Sequence, residues 1–373
     1  MSAPPDSNDP GNFAATSPRF KSQSSSTAIL VRQTVNNLVL GVDIGGTKVA
    51  AGIVDSAGEI LRKVRTRMVA RGAAEEGLQA VFDAIDGVFR GRGARNVRAI
   101  GVSAPGWVDS KRGVITGATN VPCWRNFPLV SQIKRRHKLP TKIANDANAG
   151  ALAETAWGAA AGYSNVFYAS LGTGVGAGLV LDGKIYGGRT GAAVEGGHVT
   201  IDFNGPRCDC GKRGCIEVYA SGGAIARRAR ELLSGRGGYR SRMAAMAGGP
   251  KAQRMGRVTA EIVSKAARAG DKLAVRILEE AADRLAIWLG NTIDLLEPDI
   301  IVVGGGVGKV MASYLPRIRK QLAIWAINPE WRKIPIVGAR YGSESALVGA
   351  AALCFPAMRY RNLRISSVCR PER

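Results

Sequence analysis

VFYASLGTGVGAGLVLDGKI (residues 166–185) repeats the plan of LVLGVDIGGTKVAAGIV (38–54), and this echo decides how the chain is read. Sliding the sequence along itself by 127 residues, without gaps, sets Asp43 on Ser170, Gly45 on Gly172, Val54 on Leu181 and Asp55 on Asp182. In the first copy an apolar run, 38–43, is closed by Gly45-Gly46. It is followed by a second run, 49–54, a Ser56-Ala57-Gly58 turn and a third run, 60–64, the pattern of three antiparallel strands joined by tight turns. Leu78, Val81, Phe82, Ile85, Val88 and Phe89 then fall at helical spacing, and 97–102 returns to strand. Self-similarity of this kind marks a duplicated unit.

After the second copy the spacing predicts helices over 216–233 and 273–296, a buried strand at 300–303 and a final amphipathic helix over 345–354. Strands alternating with helices make this an α/β protein of two lobes, each a sheet flanked by helices. A glycine turn at the first hairpin of each lobe would face a shared cleft, where ligands sit. The expected division is a Ser/Pro-rich leader at 1–37, a small lobe at 38–144 with 344–356 packing back on it, and a large lobe at 145–343. A basic tail at 357–373 completes it.

The 373 residues suffice for two domains, and 46% hydrophobic content excludes a disordered chain. No apolar run approaches the roughly 20 residues of a membrane span. The N-terminus lacks a basic stretch followed by an apolar one, so a cytoplasmic location is expected. Lys+Arg outnumber Asp+Glu by 52 to 29, a net charge of +23, concentrated between Arg227 and Arg257 and from Arg359 to Arg373. Neither stretch interleaves aromatics as a binding module would, so a solvated basic surface or a polyanion site is favoured over nucleic acid.

Four stretches carry chemistry. Asp43-Ile44-Gly45-Gly46-Thr47-Lys48 ends a strand with glycines that let amides approach a phosphate, a hydroxyl that can donate to it and a carboxylate suited to Mg²⁺. A plain hairpin turn is its simpler explanation. Gly172-Thr173-Gly174 is the second such turn; it nearly spells a dinucleotide fingerprint, but the chain continues as strand where that fingerprint needs a helix. Gly304-Gly305-Gly306 resembles a Walker loop without its first glycine or closing Ser/Thr, and is either a passage under a nucleotide or a helix-entry turn. Asn145-Asp146 precedes a helical run through Trp157. It offers either an N-cap or a general base, Asp146, with Asn145 holding the alcohol that attacks a phosphoryl group.

The clearest local signal is Glu195-Gly196-Gly197-His198 followed by Cys208, Cys210 and Cys215. Three thiols and an imidazole make a tetrahedral Cys₃His set suited to structural zinc within a knot at 198–215, with Gly205, Gly211 and Gly214 allowing the tight winding. Buried thiols beside a satisfied histidine would not explain the CxC and CxxxxC spacing. Such a clamp would also fix Glu195 and Glu217, placed to hydrogen-bond a polyol or merely to charge the surface.

Taken in order, DIGGTK (43–48), SAPGWVD (103–109), TNVPCW (119–124), NDANAGALAE (145–154), SLGTGVGAG (170–178), EGGH (195–198), CDCGKRGCIEVYASG (208–222) and VVGGGVG (302–308) resemble the ROK family of sugar kinases and repressors, within it the bacterial glucokinases. The resemblance runs over residues 38–354. It implies the two-lobed actin-like, hexokinase-like ATPase fold with ribonuclease H-like duplicated lobes. It implies MgATP held by Asp43, Gly45, Gly46, Thr47, Lys48, Gly172, Thr173 and Gly174, with the 304–306 glycines beside the nucleotide. Hexose contacts fall on Asn120, Asn145, Asp146, Glu195, His198 and Glu217, with Asp146 as base. Structural zinc falls on His198, Cys208, Cys210 and Cys215, and a homodimer or homotetramer is implied. The activity implied is transfer of the ATP γ-phosphoryl to the 6-hydroxyl of glucose. The family's other activities remain open: N-acetylhexosamine, mannose or fructose kinases, polyphosphate-dependent glucokinases and non-enzymatic sugar-sensing repressors. Residues 236–256, rich in glycine and arginine, depart from the family pattern and are expected to form a mobile loop.

Overall fold

A computed structural model describes residues 37–91, 94–235, 240–249 and 256–355. The expected leader up to residue 36, the tail 357–373 and the stretches 236–239 and 250–255 of the glycine/arginine loop lie outside the described residues.

In the first lobe β1 (Leu38–Ile44), β2 (Lys48–Val54) and β3 (Ile60–Arg67) are antiparallel neighbours. The helix α1 (Ala74–Phe89) leads to β4 (Val97–Ala104). A small hairpin, β5 (Trp107–Asp109) and β6 (Val114–Gly117), and the helix α2 (Leu129–His137) lead to β7 (Thr141–Asn145). The strands β4 and β7 add parallel to β1, giving the order β3-β2-β1-β4-β7. The strands β1 and β2 are apolar without alternation because both sheet faces are covered: α1 lays Ala80, Val81, Ala84, Ile85 and Val88 into one core.

The helix α3 (Asp146–Ala156) crosses to the second lobe, where β8 (Val166–Leu171), β9 (Val175–Leu181) and β10 (Lys184–Ile185) repeat the antiparallel trio. Among the described residues four helices follow: α4 (Glu217–Ala220), α5 (Gly222–Ser234), α6 (Arg242–Met246) and α7 (Ala260–Arg268). The 25-residue α8 (Lys272–Leu296) precedes β11 (Ile300–Gly304), then α9 (Gly305–Met311), α10 (Leu315–Trp325), β12 (Ile336–Gly338) and α11 (Ser345–Ala352). The second sheet is ordered β10-β9-β8-β11-β12, strand for strand the first sheet again. The duplication read from the sequence is therefore a duplication of topology. One detail departs from the gapless slide: Gly45 N–H reaches Lys48 O (2.9 Å), whereas Gly172 N–H reaches Gly174 O (2.9 Å), so the second turn is one residue tighter.

Two expectations change. The helix expected over 216–233 breaks at Ser221, whose backbone is extended and whose Oγ accepts from Ala224 N (3.0 Å), capping α5 as a separate helix. The last helix is not amphipathic. Ser345, Leu347, Val348, Gly349, Ala350 and Ala351 are all buried, because α11 is covered by the first sheet on one side and α3 on the other.

The lobes exchange helices. The helix α3 leaves the last strand of sheet one and packs on β9, while α11 leaves the last strand of sheet two and packs on β1 and β4. They meet antiparallel, so closely that a Cβ on Gly349 would overlap the Ala149 carbonyl. Glu154 closes this junction. It is fully buried, and its carboxylate accepts from Ala159 N (2.9 Å), Arg340 N (3.0 Å), Tyr341 N (3.0 Å) and Ser345 Oγ (3.0 Å), joining both interlobe crossings. Among the described residues no helix is long and apolar enough to cross a membrane.

Glu154→Gln puts an NH₂ where the backbone N–H groups need an acceptor, and a buried unsatisfied donor costs about 1–3 kcal/mol. The melting temperature should fall by several degrees, against no change for exposed Glu261→Gln; equal melting of both variants by calorimetry would show the carboxylate is not needed there.

Candidate active site

The parallel strands β1, β4 and β7 end level with one another. Asp43 pairs with Ser103, Ser103 with Ala144, and Ala104 with Asn145. This edge, outside the carboxyl ends of parallel strands, is where open α/β sheets bind ligands. Ser103 is buried and donates its hydroxyl to Asp43 Oδ1 (2.9 Å). Burial pushes the Asp43 carboxyl above its ordinary range, and the Ser103 bond and the Lys48 charge offset this in part.

The N-cap at Asn145-Asp146 is the first of the two. Asn145 is the cap: its Oδ1 accepts from Ala147 N (3.0 Å) and Asn148 N (3.3 Å), and its Nδ2 donates to Gly106 O (3.0 Å). Asp146, the first residue of α3, is spared that duty and keeps only a local bond from Ala147 N (2.8 Å). Its pKa is pushed up to about 6, first by burial and then by the negative charges of Asp43 and Glu195. Three carboxylates from distant parts of the chain thus crowd one place.

The first glycine turn adjoins them. A Cβ on Gly46 would lie 2.8 Å from Asn120 O, so the 118–120 segment rests directly on the turn, with Thr47, Lys48 and Asn120 exposed beside it. The second turn lies against a helix start: Gly222 N–H, at the head of α5, donates to Gly172 O (2.8 Å). Glu217 Oε2 accepts from Val175 N (2.9 Å), which commits that oxygen to the base of the second hairpin rather than to open solvent. The three glycines 304–306, which end β11 and open α9, divide. Side chains on Gly304 and Gly305 would strike Tyr168 and Leu171, and Gly305 has φ of 84°, so packing and turn geometry explain both. Gly306 faces open space. Glu195 is exposed and follows Val194, a β-branched residue held at φ of 65°.

His198, Cys208, Cys210 and Cys215 do converge, their ligand atoms all within 4.8 Å of one another. His198 Nδ1 lies 3.7 Å from Cys208 Sγ, and Cys210 Sγ lies 3.6 Å from Cys215 Sγ. Zinc–sulfur bonds of about 2.3 Å in a tetrahedron put ligand atoms about 3.8 Å apart, so the spacing fits a four-coordinate ion. The chemistry fits too. Burial and the neighbouring sulfurs push the Cys215 thiol up to about 12, and thiols packed so closely share negative charge only with a cation between them. Lys212 Nζ donates to His198 O (2.6 Å) and Cys208 N to Lys212 O (2.8 Å), tying the loop around the cluster. Glu217 Oε1 stands 4.0 Å from both Cys208 Sγ and His198 Nδ1, so the cluster and the second hairpin share this glutamate.

Ser103 and Glu154 are the residues sequence reasoning passed over. Both stand inside quoted segments, yet neither a strand serine nor a late helical glutamate signals a buried hydrogen-bonding duty.

The ROK family profile matches residues 39–356 of this chain. The chain belongs to the ROK family. A glucokinase of Streptomyces coelicolor is 35% identical over 318 residues, covering 85% of this chain and 97% of that one. The crystal structure of a ROK family glucokinase from Streptomyces griseus in complex with glucose and AMPPNP is 36% identical. It has a TM-score of 0.76 over 85% of this chain and 98% of that one. A xylose repressor of Caldicellulosiruptor bescii is 26% identical over 317 residues, 84% of this chain and 77% of the repressor. The two-lobed architecture above is thus the actin-like ATPase fold of the ROK sugar kinases.

Since the raised Asp146 pKa means the fold disfavours its ionised form, that carboxylate costs stability at pH 7–8 and none below about pH 4, where it is protonated folded or unfolded. Asp146→Asn should therefore raise the melting temperature at pH 7.5 and leave it unchanged near pH 3.5. A drop at pH 7.5 would mean that the site welcomes the charge.

Proposed function

We propose that this ROK protein is an ATP-dependent glucokinase, transferring the γ-phosphoryl of MgATP to the 6-hydroxyl of glucose. The observation that carries this reading is Asp146: a carboxylate freed from capping, at the ligand edge of the sheet, with its pKa pushed up to about 6. A base so tuned is ionised at neutral pH and accepts the hydroxyl proton as the oxygen attacks phosphorus. Kinship to glucokinases over nearly their whole length supports the same choice.

The other residues take positioning roles in this proposal. Asn145 keeps one amide hydrogen beyond its bond to Gly106 O, and with Asn120, Glu195 and Glu217 Oε1 it holds sugar hydroxyls. His198 turns Nδ1 to the cysteines, which leaves Nε2 for the hexose. Asp43, the Gly45–Lys48 turn and the Gly172–Gly174 turn receive the phosphates from the two lobes, with Gly306 open to the rest of the nucleotide. Mg²⁺ near Asp43 would neutralise charge on the transferring phosphoryl group. Zinc held by His198, Cys208, Cys210 and Cys215 would be structural, bracing the loop that carries Glu217. A cytoplasmic location and self-association, as homodimer or homotetramer, belong to the same proposal.

A coupled assay tests it: MgATP with glucose, N-acetylglucosamine, mannose and fructose, then polyphosphate in place of ATP. Turnover confined to another sugar or donor would move the substrate, and no turnover with any pair would favour a sugar sensor. For Asp146→Asn we expect loss of phosphoryl transfer with glucose binding kept within about tenfold. The wild-type kcat/KM should rise with pH through about 6. Substantial turnover by the variant removes Asp146 as base. Cys210→Ser should lose bound zinc, measured by elemental analysis, and melt well below the wild type; a folded, active, zinc-free variant would refute the metal site.

A further inference from the structure

In the first lobe α1 and α2 pack into one core and leave between them a cleft of about 510 Å³ that the kinase reading does not use. Its two ends differ. At the start of α1, Trp124 donates its Nε1 to Ala74 O (3.1 Å) and stacks on Phe127, ring centres 5.0 Å apart and planes 7° from parallel. One face of Phe127 is sealed in this way, and the rest of the ring lines the cleft. Glu75 lines the same end. Its neighbour Glu76 turns back to accept from Ala73 N (2.7 Å), whereas Glu75 is exposed.

At the other end two guanidinium groups stand on adjacent residues. Arg136 lies over Phe82, 4.7 Å from the ring centre, and donates to Asp86 Oδ2 (2.6 Å). His137 packs edge-on to the same ring, centres 5.7 Å apart, and holds Phe82 in place. Arg135 meets no carboxylate among the described residues. It donates to Gln132 Oε1, which leaves the Gln132 amide hydrogens for a guest. From Glu75 to Phe82 the helix rises about 10 Å, with Leu78 lining the cleft between them.

We propose that this cleft is a binding site for a hexose phosphate, separate from the catalytic edge. The planar fork of an arginine pairs with phosphate oxygens through two parallel hydrogen bonds, and no described carboxylate occupies that of Arg135. A carboxylate and an amide, as on Glu75 and Gln132, exchange hydrogen bonds with hydroxyls. Phe127 and Leu78 offer an apolar surface on which the C–H face of a pyranose ring loses water. The separation of the two ends matches the reach of a six-carbon sugar bearing a phosphate. An apolar guest would cover Glu75 and Gln132 without giving them partners, and inorganic phosphate would leave Phe127 and Glu75 unused. The product of the proposed reaction belongs to this ligand class, but the site does not rest on that reading.

The arginines stand clear of the catalytic edge. The helix α2 ends just before β7 begins at Thr141, whereas Asn145 and Asp146 lie at that strand's other end, about 13 Å away. Binding in the cleft and turnover are therefore separable.

Isothermal titration calorimetry of the full chain, saturated with glucose and AMPPNP to fill the catalytic edge, tests the assignment. The wild type should bind one glucose 6-phosphate per chain. Arg135→Glu should weaken this binding at least tenfold and Glu75→Ala severalfold, while circular dichroism and initial-rate turnover stay at wild-type values. Inorganic phosphate should bind at least tenfold more weakly than glucose 6-phosphate. No binding to the saturated wild type, unchanged binding in either variant, or equal affinity for inorganic phosphate overturns the proposal. Failure of the kinase reading shows differently, as absent turnover with the Arg135-dependent binding intact.

Discussion

The structure depends on the close approach of two helices that have changed places. The helix α3 follows the first sheet in the chain and α11 the second, yet each packs on the other sheet, and the Ala149 carbonyl lies where any side chain on Gly349 would have to go. Such an approach is open only to small residues, which is why α3 reads Asp-Ala-Asn-Ala-Gly-Ala-Leu-Ala and α11 Ser-Ala-Leu-Val-Gly-Ala-Ala-Ala. Glu154 sits where the two interlobe crossings meet, and with four donors no oxygen of the carboxylate is left bare. A fully buried charge survives only with such satisfaction. The polar anchor therefore fixes how the exchanged helices meet, and the sheets are joined through those helices.

The placement of Asp146 follows from that junction. It heads the helix whose other end Glu154 holds, eight residues or about 12 Å away. Its surroundings are set by strand register rather than by local sequence: Asp43 arrives from β1, while Glu195 comes from a loop of the second lobe. Repulsion among three carboxylates is a standing cost, sustained because Ser103, Lys48 and the Ala147 amide stabilise two of them. Once a cation or a proton is shared among them, the same crowding becomes favourable.

Much of this was legible beforehand for a physical reason. Period-two and period-3.6 patterns report burial directly, and the repeat 43–54 against 170–181 carries topology because copied strands recreate copied pairing. The convergence of His198, Cys208, Cys210 and Cys215 was legible as well, since CxC and CxxxxC spacing has no packing explanation. Other features depended on contacts far apart in sequence. The break at Ser221 lies between two runs of helical spacing, and its extended backbone and capping hydroxyl separate α4 from α5. The composition of α11, apolar all round, is that of a helix covered on both sides, but the elements that cover it, α3 and the first sheet, lie some 200 or more residues earlier. The glycines 304–306 read as one unit, yet two of them answer to Tyr168 and Leu171 and only Gly306 is open.

The cysteine cluster acquires meaning from a neighbour that is not a ligand. Glu217 stands 4.0 Å from Cys208 and from His198 with one oxygen, and with the other accepts the Val175 amide at the foot of the second glycine turn. Displacing the knot would drag that oxygen off Val175 and leave a partly buried amide without its partner. The first turn has no such brace. It is steadied instead by the 118–120 segment lying across Gly46. Two copies of one hairpin are thus secured by unrelated means, one by a loop and one by a loop wound on four metal-type ligands. The two halves share their strands and turns, and the segments between them make the halves unequal.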